Sequence, residues 1–538
     1  MDLYVKILIF LFLFLFILPT LTGLCCYFPT LRHVFFAGML YFTSNEYSIN
    51  LIPMPDWRGT ARGYAFTAVS FFAVPLLMSM ILSPKYKIRF FPPGTFFYFL
   101  YFLAILLSGY NAVHMHQWGF EVFKMFWMYI TFLAAFNYMN NCKDLTFFAY
   151  IVSAILIILF LVGFDQKYRG GMYQIRSTFP HQNSLSLYLE VFGLVILGIL
   201  MNEQIGRILF AMTLFAFGGS VLLVIFTYSR GGLVIYFGGI AIVCALSILI
   251  NGFSVRRLTL MLIGMIVMLS VVGYALPRII LRFTKAPEAS KNTRIVLAIA
   301  SKQIANDYRL GVGANNYSEY SGSNYEYTLQ PGYTQPGERG GIVETIYLLV
   351  AAECGWYGLA LLLLWFLYYY LSVIVSMFAL RKKPCCGIAI GLFSGLTCIY
   401  WHSSLEWSLK QYNNFAGQMV LYALIGVLAV NRKHIKAAYL RSQQKKALLK
   451  GNRRAVPVTV AAIPEAVAAV PEAVADIPDP VADPVAAIPD PVAAIPEPVA
   501  AVPEAVADIP DPIAAIPEPE EEASNEPLET PISRETPQ

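Results

Sequence analysis

Asp307-Tyr308-Arg309-Leu310-Gly311-Val312-Gly313-Ala314-Asn315-Asn316-Tyr317, Glu344-Thr345-Ile346-Tyr347-Leu348 and Glu353-Cys354-Gly355-Trp356-Tyr357-Gly358 are the landmarks of a mostly polar stretch at residues 277–358. Apolar segments long enough to cross a bilayer flank it on both sides. Connections between packed elements are usually short. A polar stretch of this length between membrane helices therefore predicts a working element, a lid and half of an active site, rather than a tether.

The composition around it agrees. Of 538 residues, 57% are apolar and 13% charged, against about a quarter charged in soluble domains. Apolar runs of about 18 to 22 residues recur, the length of a hydrocarbon core, and inside lipid a helix satisfies its own backbone. The expected architecture is all-α: a polytopic transmembrane bundle of about 12 spans. We place them at 7–24, 64–82, 95–109, 119–138, 146–164, 184–201, 207–227, 231–250, 257–277, 358–380, 386–401 and 412–430. The run at 7–24 is too long for a signal-peptide core and lacks a small-x-small cleavage site, so it reads as a retained helix. Residues 33–52 make a poor span because Arg32, His33, Asn45, Glu46 and Asn50 interrupt them, and they read as an interfacial or re-entrant piece.

Short basic connectors stay on the cytoplasmic side of a membrane. Lys85, Lys87 and Arg89, Arg256-Arg257, Arg381-Lys382-Lys383 and Arg432-Lys433 are such connectors, and with twelve helices all of them fall on one side, with both termini. Thirteen helices would move only the N-terminus. Either way the 278–357 loop is extracytoplasmic, in company with Trp57-Arg58-Gly59, the loop 165–183, the turn Tyr228-Ser229-Arg230-Gly231-Gly232 and the segment His402 to Glu406.

Domains follow from this layout: a membrane domain at 1–431, a basic juxtamembrane cytoplasmic segment at 432–460, and a tail at 461–538. The tail holds 17 of the 33 acidic residues and the single base Arg534. It repeats a degenerate heptad such as Ala461-Ala462-Ile463-Pro464-Glu465-Ala466-Val467, and a proline in each copy excludes a coiled coil. The expectation is a disordered, acidic, polyproline-like tail, either drifting sequence or a spacer or docking segment for another protein. Outside it the chain is strongly basic, so the balanced whole-chain charge is no sign of nucleic-acid binding. The eight cysteines show neither metal-site spacing nor a disulfide framework.

Several residues could carry chemistry. Arg230 sits in a glycine-rich turn between two spans, where a permanently charged fork suits phosphate oxygens; boundary arginines also snorkel to headgroups. Arg294, in Asn292-Thr293-Arg294, reads as the start of a capped helix, and Gly311-Val312-Gly313 as the turn that ends it. Glu344 opens a helical run to Gly355; it is either a partner of the helix dipole or a desolvated general base. In Ser177-Thr178-Phe179-Pro180-His181-Gln182-Asn183, the residues His181, Gln182 and Asn183 either bind sugar hydroxyls or cap the next helix, with capping favoured for Asn183. Glu121 and Lys124 are one turn apart and read as an internal pair.

Taken together, Ser229-Arg230-Gly231, Arg294, Gly311-Val312-Gly313 with Asn316-Tyr317, Tyr347-Leu348 and Glu353-Cys354-Gly355-Trp356-Tyr357-Gly358 resemble the O-antigen ligase and polymerase superfamily. The resemblance covers roughly residues 50 to 430. It implies a metal- and cofactor-independent, inverting glycosyl transfer at the periplasmic face of the bacterial inner membrane. The implied donor is a polyprenyl-diphosphate-linked glycan and the implied acceptor a glycan, lipid A core or protein hydroxyl; on this reading the docking partners expected for the tail are other polysaccharide-export proteins. Residues matching Arg230 and Arg294, with Ser229, engage the donor diphosphate. The family's acceptor-side histidine, in His-Asn-x-Tyr-Leu, falls on Glu344 here, and its asparagine on Thr345. Arg58, Arg62, Arg176, His181, Gln182, Asn183, Asn316, Tyr317, His402 and Glu406 are then candidate glycan or acceptor contacts. A competing class is a lipid-linked glycan flippase or transporter with Arg230, Lys124 and Glu344 along its path.

Overall fold

A computed structural model describes residues 3–142, 145–284, 288–330 and 340–449. The 461–538 tail, with its expected disorder, lies outside the described residues, as do 450–460 of the basic segment and 331–339 of the long loop.

The described chain is mostly helical. In order it runs α1 (Leu3–Phe12), a π-turn (Leu13–Ile17), α2 (Leu18–Tyr27), α3 (Leu31–Phe42), β1 (Ser48–Asn50), β2 (Ala65–Thr67), α4 (Ala68–Ile81), α5 (Thr95–Ser108) and α6 (Met115–Cys142). There follow α7 (Leu145–Tyr168), α8 (Gln182–Asn202), α9 (Arg207–Thr227), α10 (Arg230–Asn251), α11 (Val255–Thr284), α12 (Glu288–Asp307), α13 (Tyr317–Ser323) and α14 (Tyr325–Thr328). The last are α15 (Ile346–Ala379), α16 (Cys386–His402) and α17 (Tyr412–Leu449). Among the described residues, eight helices are long and apolar enough to cross a membrane, and α3, α4, α5 and α16 are shorter apolar helices.

The poor span at 33–52 resolves into α3 followed by β1, which pairs antiparallel with β2 in the register Ser48 to Thr67, Ile49 to Phe66 and Asn50 to Ala65. This hairpin departs from an all-α expectation. Of the residues that spoiled the span, Arg32, His33, Asn45 and Asn50 each have a hydrogen-bond partner. Arg32 is buried, donating to Ser79 Oγ and Ser79 O at 3.2 Å, with its guanidinium 4.7 Å from the Tyr86 ring; Asn50 donates to Arg62 O at 3.1 Å.

α8 is the axis of the bundle and is buried along its length against α9, α10 and α16. The contact with α16 follows from Gly387, Gly391 and Gly395, one turn apart on α16. A Cβ on Gly391 would lie 2.6 Å from Leu194 O and from Val195 Cα. Small residues at this spacing let two helix backbones touch in lipid. Because α8 and α16 are antiparallel, the start of α8 meets the end of α16, and both helices bring polar residues there.

α15 starts at Ile346 with Thr345 as its N-cap, so Glu344 lies one residue before the cap and does not open the helix as expected. Gly355, at φ 73° and ψ 172°, interrupts α15. The break releases the carbonyls of Ala352 and Glu353 from their helical donors, and the loop takes them: Val312 N donates to Ala352 O at 3.0 Å and Gly313 N to Glu353 O at 3.1 Å. Gly311 must be glycine for this latch, since its φ is 73° and a Cβ would collide with the Glu353 carbonyl. Arg294 lies inside α12 rather than at a helix start.

Candidate functional site

One end of the bundle encloses a cavity of about 1130 Å³. Its walls are the helix-terminal residues of α8, α10 and α16, the approach to α15, α12, the loop before β2 and the turn 405–411. The basic connectors occupy the opposite end. There Arg256 donates to Glu203 O at 2.9 Å and Leu200 O at 2.5 Å, and Arg381 to Ile250 O at 2.8 Å.

The α9–α10 turn builds one wall. Tyr228 closes α9 in the left-handed region at φ 47°, and Ser229 caps α10, its Oγ accepting from Gly232 N at 3.2 Å. Gly232 presses this turn onto α8, where a Cβ would collide with Ser186 Oγ. Arg230 is thereby placed on the cavity wall as the first residue of α10. Among the described residues its guanidinium has no hydrogen bond or ion pair.

The same cavity is lined by a charge cluster assembled from three segments. Arg294 Nη2 is 2.5 Å from Glu344 Oε2 and 3.6 Å from Glu406 Oε1. Glu406 Oε1 also accepts from Asn183 Nδ2 at 2.5 Å. Asn183 therefore does not cap α8; His181 does, its Nδ1 accepting from Asn183 N at 3.3 Å. Glu344 reaches Glu406 because α15 is tied to the end of α16: Ile346 N donates to Ser403 O at 3.0 Å and Tyr347 OH to Tyr400 O at 2.6 Å.

Two carboxylates share one guanidinium here. Burial, and then the charge of Glu344, push the Glu406 carboxyl up to about 7, while His402, Arg294 and Asn183 pull the other way. Burial also raises Glu344, opposed by Arg294. Burial lowers His181. A carboxyl poised near neutrality inside a cavity is suited to proton exchange.

His402 lies on the cavity wall although it is 1% exposed, and its Nδ1 is 2.7 Å from Glu190 Oε1 on α8. Sequence reading had passed over Glu190; its signal is one carboxylate in the otherwise apolar run from Leu185 to Met201.

The other candidates divide. Arg58, Arg62, Gln182 and Ser229 line the cavity, but the Ser229 hydroxyl is already committed to its cap. Arg176 is exposed, donates to Pro180 O at 3.3 Å and is not on the cavity wall. Asn316 and Tyr317 are fully buried away from it: Asn316 Oδ1 accepts from His114 N at 2.9 Å, and Tyr317 OH donates to Leu297 O at 2.9 Å. These two hold the long loop together and are not brought to the cavity.

Lys124 likewise does not line the cavity. The expected Glu121–Lys124 pair, at 2.6 Å, is half of a larger network, with Lys410 2.9 Å from Glu353 Oε2 and 3.5 Å from Glu121 Oε1. Thr60 donates to Glu121 Oε2 at 3.0 Å, and Lys124 to Lys410 O at 3.2 Å. Among the described residues no three His, Cys, Asp or Glu side chains are grouped to hold a metal ion. No family model matches the chain, and no curated protein sequence matches it.

Proposed function

We propose that this chain is a membrane glycosyltransferase of the O-antigen ligase and polymerase type. It moves a glycan from a polyprenyl-diphosphate donor to an acceptor hydroxyl at the periplasmic face of a bacterial inner membrane. The observation that carries the reading is the cavity whose wall bears Arg230, which has no hydrogen bond or ion pair among the described residues, together with Arg294 and its two carboxylates. A lipid-linked sugar is already activated: once the diphosphate charge is met, it leaves readily. Catalysis then needs positioning and preorganised cations more than a nucleotide. Arg230 meets the departing diphosphate directly, and Arg294 turns to it from Glu344 and Glu406. The acceptor oxygen attacks C1 from the face opposite the leaving group, giving inversion, and its proton passes to a cavity group. The cavity offers Glu344, Glu406 and His402 for that proton.

Sidedness is supported by the basic connectors at the far end of the bundle, which belong in the cytoplasm with the C-terminal tail. The flippase reading gains little from Lys124, which sits in the closed network with Glu121. Transfer to lipid A core, to a further repeat unit or to a protein hydroxyl shares this donor chemistry. The test is reconstitution of the full chain with an undecaprenyl-diphosphate-linked glycan and each acceptor class in turn. Transfer to one acceptor, abolished in Arg230→Ala, is the expected result; movement of intact donor across the bilayer without transfer would support the flippase instead.

A further inference from the structure

Every carboxylate on the cavity wall already has a charged or hydrogen-bonding partner. Glu344 is held by Arg294 at 2.5 Å, and Glu406 by Asn183 at 2.5 Å with Arg294 at 3.6 Å. His402 differs. Its Nδ1 is engaged by Glu190 at 2.7 Å, and Nε2 is left as the remaining nitrogen of a ring on the cavity wall. Glu190 itself is completely buried on α8. Its Oε1 receives Ser186 Oγ at 3.4 Å as well as His402, and its Oε2 has no hydrogen-bond partner among the described residues. A buried carboxylate in an apolar helix is unfavourable unless something uses it. This one fixes the orientation and tautomer of an imidazole, the arrangement that makes a histidine an effective base.

We infer that His402 is the proton acceptor for the incoming hydroxyl, with Glu190 as its positioning residue. This rests on the glycosyl-transfer reading above. In the step, a lone pair of the acceptor oxygen forms the new bond to sugar C1. The bond from C1 to the phosphate oxygen breaks, and its electron pair leaves with the polyprenyl diphosphate. The hydroxyl proton passes to His402 Nε2, while the Nδ1 proton stays on the hydrogen bond to Glu190. Glu344 then serves as the resting counter-ion of Arg294 and an acceptor contact. The groups facing the pair are Tyr236 on α10, Cys398 on α16 and Glu406 on the following turn, with Glu344 and Arg294 beyond it.

The experiment follows release of undecaprenyl diphosphate from its glycan conjugate by the reconstituted full chain, as kcat against pH. Binding of undecaprenyl diphosphate and the melting temperature are measured on the same samples. His402→Gln is expected to lower kcat about 10²- to 10³-fold, to lose the acidic limb of the pH profile and to keep wild-type binding and melting. Glu190→Gln should lower kcat with the same binding, and Glu190→Asp should recover part of it. Glu344→Gln should keep the acidic limb. Wild-type turnover or an unchanged limb in His402→Gln overturns the inference alone. So does loss of binding together with a fall in melting temperature, which would make the pair structural. If the wild-type protein releases nothing with any acceptor, the inference falls with the glycosyltransferase reading.

Discussion

Two clusters of opposite charges among the described residues differ in exposure, in balance and in what surrounds them. Glu121, Lys124, Glu353 and Lys410 are at most 7% exposed, balance to zero, and reach one another within 2.6 to 3.5 Å. Arg294, Glu344 and Glu406 are 43%, 32% and 14% exposed, carry two acids to one base, and line the same cavity as Arg230, which has no hydrogen bond or ion pair among the described residues. The first cluster is complete within the protein. A buried ion pair of that kind adds little net stability but is costly to break. The second leaves charge unmatched on the wall of an open space, which suits it to a charged ligand.

Breaking this contrast tests it. The largest effect is expected in the closed cluster: Lys410→Met strands Glu353 and half of Glu121, and should cost about 3–5 kcal/mol, read as a lowered melting temperature or loss of folded protein. Arg230→Ala in the open cluster should instead leave melting unchanged and reduce glycan transfer about 10²- to 10³-fold, the usual loss for one preorganised group at a developing charge. If Arg230→Ala melts early, or Lys410→Met melts normally, the division between structural and working charges is wrong.

Smaller changes sharpen it. Glu344→Gln removes the counter-ion of Arg294; freeing that guanidinium should tighten donor binding about threefold to tenfold, since a neighbouring charge shifts such equilibria by about one pKa unit. Direct binding of undecaprenyl diphosphate measures this. The least effect concerns pH. Glu406 is raised to about 7, so it is mostly neutral below that pH and adds a negative charge above it. An anionic donor should bind more weakly as pH rises through 7, by about threefold. Glu406→Gln should flatten that dependence; a slope that persists in the variant would place the titrating group elsewhere.

Much of the fold was legible because apolar runs report helices directly: among the described residues eight helices are long and apolar enough to cross a membrane, while the expected span at 64–82 begins in β2 and becomes helical only at Ala68. The hairpin was not, since Ala65-Phe66-Thr67 runs without a break into the apolar start of α4. The site was legible as a set of residues but not as a set of bonds. Arg230, Arg294, Glu344 and Glu406 could be named from turns and loop positions, yet Asn183 and Glu406 are 223 residues apart and Glu190 and His402 are 212 apart. Nothing local says which carboxylate meets which cation. Asn316 and Tyr317 misled for a related reason: a polar pair after a glycine turn looks the same whether it serves a ligand or the loop's own backbone.

The break at Gly355 carries one last consequence. With the amides of Val312 and Gly313 occupying the carbonyls released there, the polar loop is bolted to a membrane helix at residues that do not line the cavity. The half-exposed Arg294 side chain can then turn toward a substrate while that bolt stays closed, so a cross-link between residues 312 and 352 should leave turnover intact.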